Sequence, residues 1–267
     1  QGQAGVGIAR QIVTGLIKAG LSEKEAYARI YGIDKDGLLL EGMNVSDEQL
    51  PFLRHRSETA AWNVKDAGHI TLLETIRHCK ATVLIGVTGQ AGAFTEEVIA
   101  AMAGNTTLPL IMPLSNPTAK AECTPETIAR ATNGRYLVGT GSPFKPVRVN
   151  GEERAVSQCN NLYIFPGVGL GALISGTPKV TDRMFMAASE ALSELVGEED
   201  LRTGKLLPSI GKIRYVSAQV ALAVAKEARA SGLGIKGDDE KLMRMILNAM
   251  WEPRYLPLRY AKTESLL

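Results

Sequence analysis

The sequence is short of the residues that build several kinds of site. Among 267 residues there are three cysteines and three histidines, and aromatic residues make up 5%. Cys79, Cys123 and Cys159 are odd in number and far apart, which fits neither a disulfide framework nor a C-x-x-C metal pair. Thiols placed in this way are expected to be packed rather than reactive, in a reducing cytoplasm. His55, His69 and His78 form no H-E-x-x-H pattern, no carboxylates cluster, and no Ser, His and Asp set stands out. Neither a metal site nor a proton-transfer pair is legible. Charge of one sign is not in excess either. Lysine and arginine number 30 against 28 acidic residues, a formal charge of +2, which gives no electrostatic reason to expect nucleic acid or a membrane surface. No basic-then-apolar leader opens the chain. Its longest apolar stretch, Leu162 to Ile174, is broken by glycine and proline, so no membrane span is expected.

What is present is globular: hydrophobic residues at 45%, charged residues at 22%, and enough length for one large domain or two smaller ones. Ile8, Ile12, Leu16 and Ala19 fall near helical spacing, which predicts a first helix from about Val6 to Ala19, ended by Gly20. Ser22 and Glu25 make a capping box for a second helix, leading into "RIYGID", a short strand that ends at Asp34 and turns at Asp36-Gly37. From Glu41 to Ala67 the pattern is weak and polar and reads as a solvated loop. A helix around Asp66 to Cys79 precedes "ATVLIGVTG", an apolar run of the kind buried on both faces of a sheet. Thr95 caps the next helix, with Glu96 and Glu97 in its first turn. "LPLIMPL" follows as a strand, Thr124-Pro125-Glu126 as a helix start and "RYLVGT" as another strand. This alternation predicts an α/β fold, a doubly wound parallel sheet of Rossmann type with helices on both faces, over residues 1–160. Over 161–267 only helices are expected, near Gly167 to Ser175, Thr181 to Val196, Ile213 to Ser231 and Asp238 to Trp251. Their apolar faces must pack on the sheet domain, on further protein or on another subunit.

In such sheets ligands bind outside the carboxyl ends of the strands, so the loops there are the candidates. Gly2-Gln3-Ala4-Gly5-Val6-Gly7, running into a helix, would let backbone N–H groups approach a pyrophosphate. Asp34 stands where a carboxylate can accept hydrogen bonds from an adenosine ribose, and it is equally a turn former with Asp36-Gly37. A 2'-phosphate would be repelled by Asp34, and after the adjacent Lys35 no lysine follows until Lys65, which favours NAD over NADP. Thr88-Gly89-Gln90-Ala91-Gly92 lies where a nicotinamide half would cross the sheet edge. In "LSNPT", Asn116 offers donors and an acceptor to a carboxamide or hydroxy acid without adding charge. The adjacent amides Asn160 and Asn161, after "GTGSPF", either serve a ligand or cap the helical segment that follows.

Read in order, "GQAGVGIA", "IYGIDKDGLL", "VLIGVTGQAGAFTEEVI", "PLIMPLSNPTAKAECTPE", "LVGTGSPF", "QCNNLYIFPGVGLG" and "GKLLPSI" span nearly the whole chain. Together they resemble the NAD-binding part of the malic enzyme family, with malolactic enzyme as its close relative. The resemblance implies oxidative decarboxylation of L-malate to pyruvate and carbon dioxide, with NAD(P) as hydride acceptor and Mg2+ or Mn2+ as Lewis acid. It assigns Gly2, Gln3, Ala4, Gly5 and Gly7 to the pyrophosphate, and Asp34 and Lys35 to the ribose end. Val87, Thr88, Gly89 and Asn116 go to the nicotinamide end, and Asn116, Asn160 and Asn161 to the substrate. The family's acid/base Tyr and Lys, its substrate Arg, its acidic metal ligands and the first glycine of its loop lie upstream, with no counterpart here. The resemblance therefore implies an N-terminally truncated piece that binds NAD weakly and does not turn over malate alone. Residues 161–267 would return to the absent substrate domain, and the whole enzyme would be a cytoplasmic homo-oligomer, dimer or tetramer. The alternatives are malolactic enzyme, giving lactate, a catalytically silent dinucleotide-binding regulatory module, and a relative of the amino-acid dehydrogenases.

Overall fold

In the computed structural model, which describes residues 2–252 together with 255 and 257, the first helix, α1 (Gln3–Lys18), takes in the glycine-rich stretch itself. Gln1 and most of the end of the expected helical segment lie outside the described residues. The loop expected at Gly2 to Gly7 is thus corrected to a helical turn, in which the Val6 N–H donates to Gly2 O at 3.0 Å. Glycine in a helix costs about 1 kcal/mol relative to alanine. Val6, Ala9 and Val13 offset that cost by packing on Ala26, Leu39 and Phe52, since a buried aliphatic side chain contributes about 1.5–3 kcal/mol.

Helix α2 (Glu23–Ala28) carries the expected Ser22 and Glu25 capping box. The strand expected in "RIYGID" is corrected to a two-residue arm, β1 (Ile33–Asp34), paired antiparallel with β2 (Gly37–Leu38) and outside the parallel sheet. The Asp36-Gly37 turn, with Gly37 at φ +95°, folds the chain straight back, and the Leu38 N–H donates to Ile70 O at 2.8 Å. The segment read as a solvated loop is irregular apart from a 3-10 turn at Leu50–Phe52 and a short helix, α3 (Arg56–Thr59), but it is anchored. Phe52 is 1% exposed and Arg54 8%. The Arg54 guanidinium lies 4.4 Å from the Tyr31 ring centroid, donates to Ala28 O and pairs with Glu58. A polar stretch can hide such anchors because they show no period.

Helix α4 (Leu72–Cys79) starts later than expected because Thr71 and Glu74 cap it reciprocally. Glu74 accepts from the Lys65 N–H at 2.9 Å and from the Thr71 N–H and hydroxyl at 2.9 and 2.7 Å. The Lys65 N–H first, then the Thr71 donors, hold its carboxyl down to about 2. Its folded pKa lies below the unfolded one, so its stabilisation is fully present above the ordinary glutamate value and is lost as pH falls towards 2. The gap in urea midpoint between the chain and Glu74→Gln should be full at about pH 6, shrink steadily below about pH 4.5 and close only as pH falls through about 2. A constant difference would contradict this.

The sheet is built by β3 (Val83–Gly86), helix α5 (Glu96–Asn105), β4 (Leu110–Pro113), helix α6 (Pro125–Ala131) and β5 (Leu137–Thr140). A hairpin, β6 (Val147–Val149) with β7 (Glu152–Arg154), then leads into β8 (Ser157–Gln158). Strand order is β3-β4-β5-β8, parallel throughout, which gives the expected α/β sheet flanked by helices. Leu84, Ile111 and Val138 bury against Ile76 of α4, Val98, Ile99 and Met102 of α5, and Ile128 of α6. The strands nevertheless alternate, and burial of β3 on both faces is corrected: Val83 is 47% exposed, and Ile85, Leu110 and Met112 are half-buried. Successive right-handed crossovers stepping one way put α5 and α6 on the same face, and this row faces the other.

The described residues after β8 are helical: α7 (Phe165–Ser175), α8 (Asp182–Glu194), α9 (Glu198–Arg202), α10 (Ile213–Ala230) and α11 (Asp239–Ala249). Val216, Val220 and Val224 of α10 pack on Val168 of α7 and on Met184, Ala188 and Leu192 of α8, so these helices first bury one another. Phe165 and Leu173 of α7 stay 76% and 80% exposed.

Candidate functional site

Because the strands run parallel, their carboxyl ends share one edge, and three of the expected loops meet there. After β3, Val87 is half-buried, while Thr88 and Gly89 are exposed. The Thr88 N–H and hydroxyl donate to Glu122 Oε1 at 2.8 and 2.9 Å, and the Gly89 N–H donates to Ser115 Oγ at 2.8 Å. The loop after β4 is thereby tied to the loop after β3. Asn116, exposed and joined to Pro117 by a cis peptide, receives the Ser142 hydroxyl on its Oδ1 at 2.7 Å. That bond fixes the amide's orientation, so Asn116 presents its NH2 donors and its oxygen is engaged. The loop after β5 comes this close because Gly141 has no side chain: a Cβ there would lie 2.0 Å from Leu114 O. Gln158, ending β8, donates to Gly141 O at 3.2 Å.

Asn160 and Asn161 follow β8 and are both exposed. Asn160 Oδ1 accepts from the Leu162 N–H at 2.9 Å, so it caps the turn that enters α7, and the Tyr163 hydroxyl anchors that turn on Pro208 O at 2.8 Å.

A second group gathers at the start of α1. The first turn holds no acidic residue and no side-chain cap, and Cβ atoms added at Gly2 or Gly7 would meet nothing within 4 Å, which leaves room beside N–H groups aimed outward. Gln3, Val6, Gly7, Arg10 and Glu48 line a shallow cavity of about 200 Å³ there. Asp34 is half-buried: Oδ1 accepts from the Lys35 N–H at 2.8 Å and Oδ2 from Gln49 Nε2 at 3.0 Å. Ser46 donates to the Gln49 oxygen through its N–H at 3.0 Å, which turns the amide nitrogen towards Asp34. Lys35 itself is exposed. A cavity of about 260 Å³ among Tyr27, Phe52, Arg54 and Glu58 holds none of the expected residues.

Glu122, Ser142 and Gln49 were not singled out from the sequence. Ser46-Asp47-Glu48-Gln49 has the S-x-x-Q spacing of a capping box, a signal that marks Gln49. Glu122 stands between the buried Ala121 and Cys123, an unusual place for a charge. Burial pushes the Cys123 thiol up to about 12 and the Cys159 thiol to about 11, so neither is a thiolate near neutral pH. His78 stacks on Trp62 at 5.0 Å and His55 faces Glu41 at 3.3 Å. Among the described residues no three His, Cys, Asp or Glu side chains gather as a cation site needs, and no helix is long and apolar enough to cross a membrane.

The family model for the NAD binding domain of malic enzyme matches residues 1–229. The NAD-dependent malic enzyme of Pseudomonas syringae pv. tomato is 46% identical over 259 residues, 97% of this chain and 46% of that protein. That of Acinetobacter baylyi is 44% identical over 256 residues, 95% of this chain and 45% of that protein. The chain thus spans about half the length of the curated relatives it matches. Among solved structures, malic enzyme from Entamoeba histolytica aligns with a TM-score of 0.62 at 24% identity, over 81% of this chain and 40% of that one. Malic enzyme from Pyrococcus horikoshii aligns with a TM-score of 0.59 at 24% identity, over 79% and 43%. These two show the shared fold, and the family model with the closer relatives shows the rest: the chain belongs to the malic enzyme family.

Proposed function

We propose that this chain is the dinucleotide-holding part of an NAD-dependent malic enzyme, serving the oxidative decarboxylation of L-malate to pyruvate and carbon dioxide. The observation that carries the reading is the joining of three strand-end loops, Thr88-Gly89, Ser115-Asn116 and Gly141-Ser142, by hydrogen bonds onto one edge of a parallel sheet. The first turn of α1, from Gly2 to Gly7, holds the pyrophosphate by its N–H groups, and Asp34 takes the adenosine ribose. Val87, Thr88 and Gly89 carry the nicotinamide end. Asn116 donates to a carboxamide or carboxylate oxygen, and Asn160 and Asn161 serve the hydroxy acid. NAD, when bound, supplies the hydride acceptor. No step is assigned to a metal, because the described residues provide no donor set for Mg2+ or Mn2+. The relatives' name supports the malic over the malolactic outcome, and family membership supports a cytoplasmic homo-oligomer for the whole protein.

Asp34 brings a carboxylate to the ribose position and its Gln49 partner is neutral, so a 2'-phosphate would meet the Asp34 charge there. Calorimetric titration should show NAD binding at least about tenfold more tightly than NADP, a difference of about 1.4 kcal/mol. Tighter NADP binding would overturn the assignment of Asp34, and binding of neither would overturn the reading of the site.

A further inference from the structure

Beneath the strand-end loops lies a charge that the binding scheme does not use. Glu122 is 0% exposed, and among the described residues no lysine, arginine or histidine is ion-paired with it. Its carboxylate is instead held by donors. Oε1 accepts from the Thr88 N–H at 2.8 Å, the Thr88 hydroxyl at 2.9 Å and the Ser115 hydroxyl at 2.5 Å, and Oε2 accepts from the Ser115 N–H at 3.3 Å. An acceptor of four donors has the chemistry of an ionised carboxylate. Burial pushes its pKa up, but the bonds from Ser115 and Thr88 outweigh burial and hold the carboxyl below its ordinary value. The end of β3 runs directly over it: a Cβ on Gly86 would lie 2.7 Å from the Glu122 carboxyl carbon.

A nicotinamide ring carries one positive charge when oxidised and none when reduced. We propose that Glu122 is a positioning residue that locks the Thr88-Gly89 and Ser115-Asn116 loops together and whose buried negative charge makes them select the oxidised over the reduced nicotinamide. The inference rests on the reading that these loops take the ring. A charge about 8–17 Å from the ring, at an effective dielectric of about 20, changes the ratio of the two dissociation constants by about fivefold to thirtyfold. The ring that arrives is attracted, and the ring that has accepted a hydride no longer is.

Dissociation constants of NAD and NADH, measured by calorimetry and by ligand fluorescence on the chain and two variants, test this. Glu122→Gln leaves a carbonyl oxygen where Oε1 accepts its three bonds, removes the charge, and puts an NH2 group where Oε2 accepts the longer Ser115 N–H bond at 3.3 Å. NAD should then weaken relative to NADH by about fivefold to thirtyfold, with the melting temperature as the check on folding. Ser115→Ala removes the tie to Gly89 and one donor to Glu122, leaving the carboxylate on the Thr88 N–H and hydroxyl and the Ser115 N–H, so NAD and NADH should weaken together and their ratio should stay within about twofold of the original. An unchanged ratio in a folded Glu122→Gln chain overturns the inference while leaving the loops as the ring site. The unaltered chain supplies a reading that needs no variant: NAD should bind more tightly than NADH, and the reverse order also overturns it. Binding of neither dinucleotide to the unaltered chain overturns the site itself, and this inference with it.

Discussion

Replacing Asp34 by asparagine is expected to weaken NAD binding by about tenfold to hundredfold while leaving the melting temperature nearly unchanged. Hydrogen bonds to a charged group contribute about 1.5–3 kcal/mol, which is that range of affinity. The substitution separates two roles that the sequence leaves open. As a turn residue before Lys35-Asp36-Gly37, asparagine serves as well as aspartate, and its oxygen can still accept from the Lys35 N–H. As a ribose acceptor it fails, because one of the two carboxylate oxygens becomes an NH2 group facing the Gln49 amide nitrogen. The same variant removes the charge that repels a 2'-phosphate, so the preference for NAD over NADP should narrow as NAD weakens. Titration of both dinucleotides against both chains measures all three quantities, and unchanged NAD affinity would leave Asp34 a turn former only.

The elements that local chemistry controls were legible. Ser22 with Glu25, Thr95 before Glu96, and Thr124 before Pro125 mark helix starts where the structure has them, because a cap is a bond between residues two or three apart. Three of the four parallel strands, β3, β4 and β5, were legible as apolar runs separated by those helices, and the polar two-residue β8 was not. What escaped was fixed by contacts remote in sequence, or by a competition the sequence leaves open. The glycines at the start of the chain read as a loop, but burial of Val6 and Ala9 carries the helix through them. Asn150-Gly151, at φ +52° and +88°, is the turn of the β6–β7 hairpin, in a stretch where no element was expected from the sequence. Glu122 could not be found by period or cap, since its partners Thr88 and Ser115 are brought to it by two different strand ends. Ser142 is likewise invisible until β5 has been laid beside β4 and its hydroxyl meets Asn116.

Replacing Gly171 by alanine should destabilise the chain, although alanine normally improves a helix by about 1 kcal/mol over glycine. Gly167 and Gly171 are one turn apart on α7 and face α10. A Cβ on Gly171 would stand 2.5 Å from Ala221 O and 2.8 Å from Val224 Cβ, and one on Gly167 would stand 2.6 Å from Val220 Cβ. The nearest atom to Gly171 is backbone, which cannot rotate away, so the helices must separate, at a cost of about 1–3 kcal/mol. Gly169, in the same helix, supplies the opposite sign: a Cβ there meets nothing within 4 Å, and Gly169→Ala should stabilise by about 0.5–1 kcal/mol. Urea unfolding of the two variants should move the midpoint in opposite directions with little change in slope. Shifts of the same sign would show that close approach of α7 and α10 does not govern this core. The seat also reaches the candidate site, because α7 begins four residues after Asn161, behind the turn that Asn160 caps. Displacing α7 from α10 is therefore expected to shift the turn that Asn160 caps, since that turn leads straight into α7.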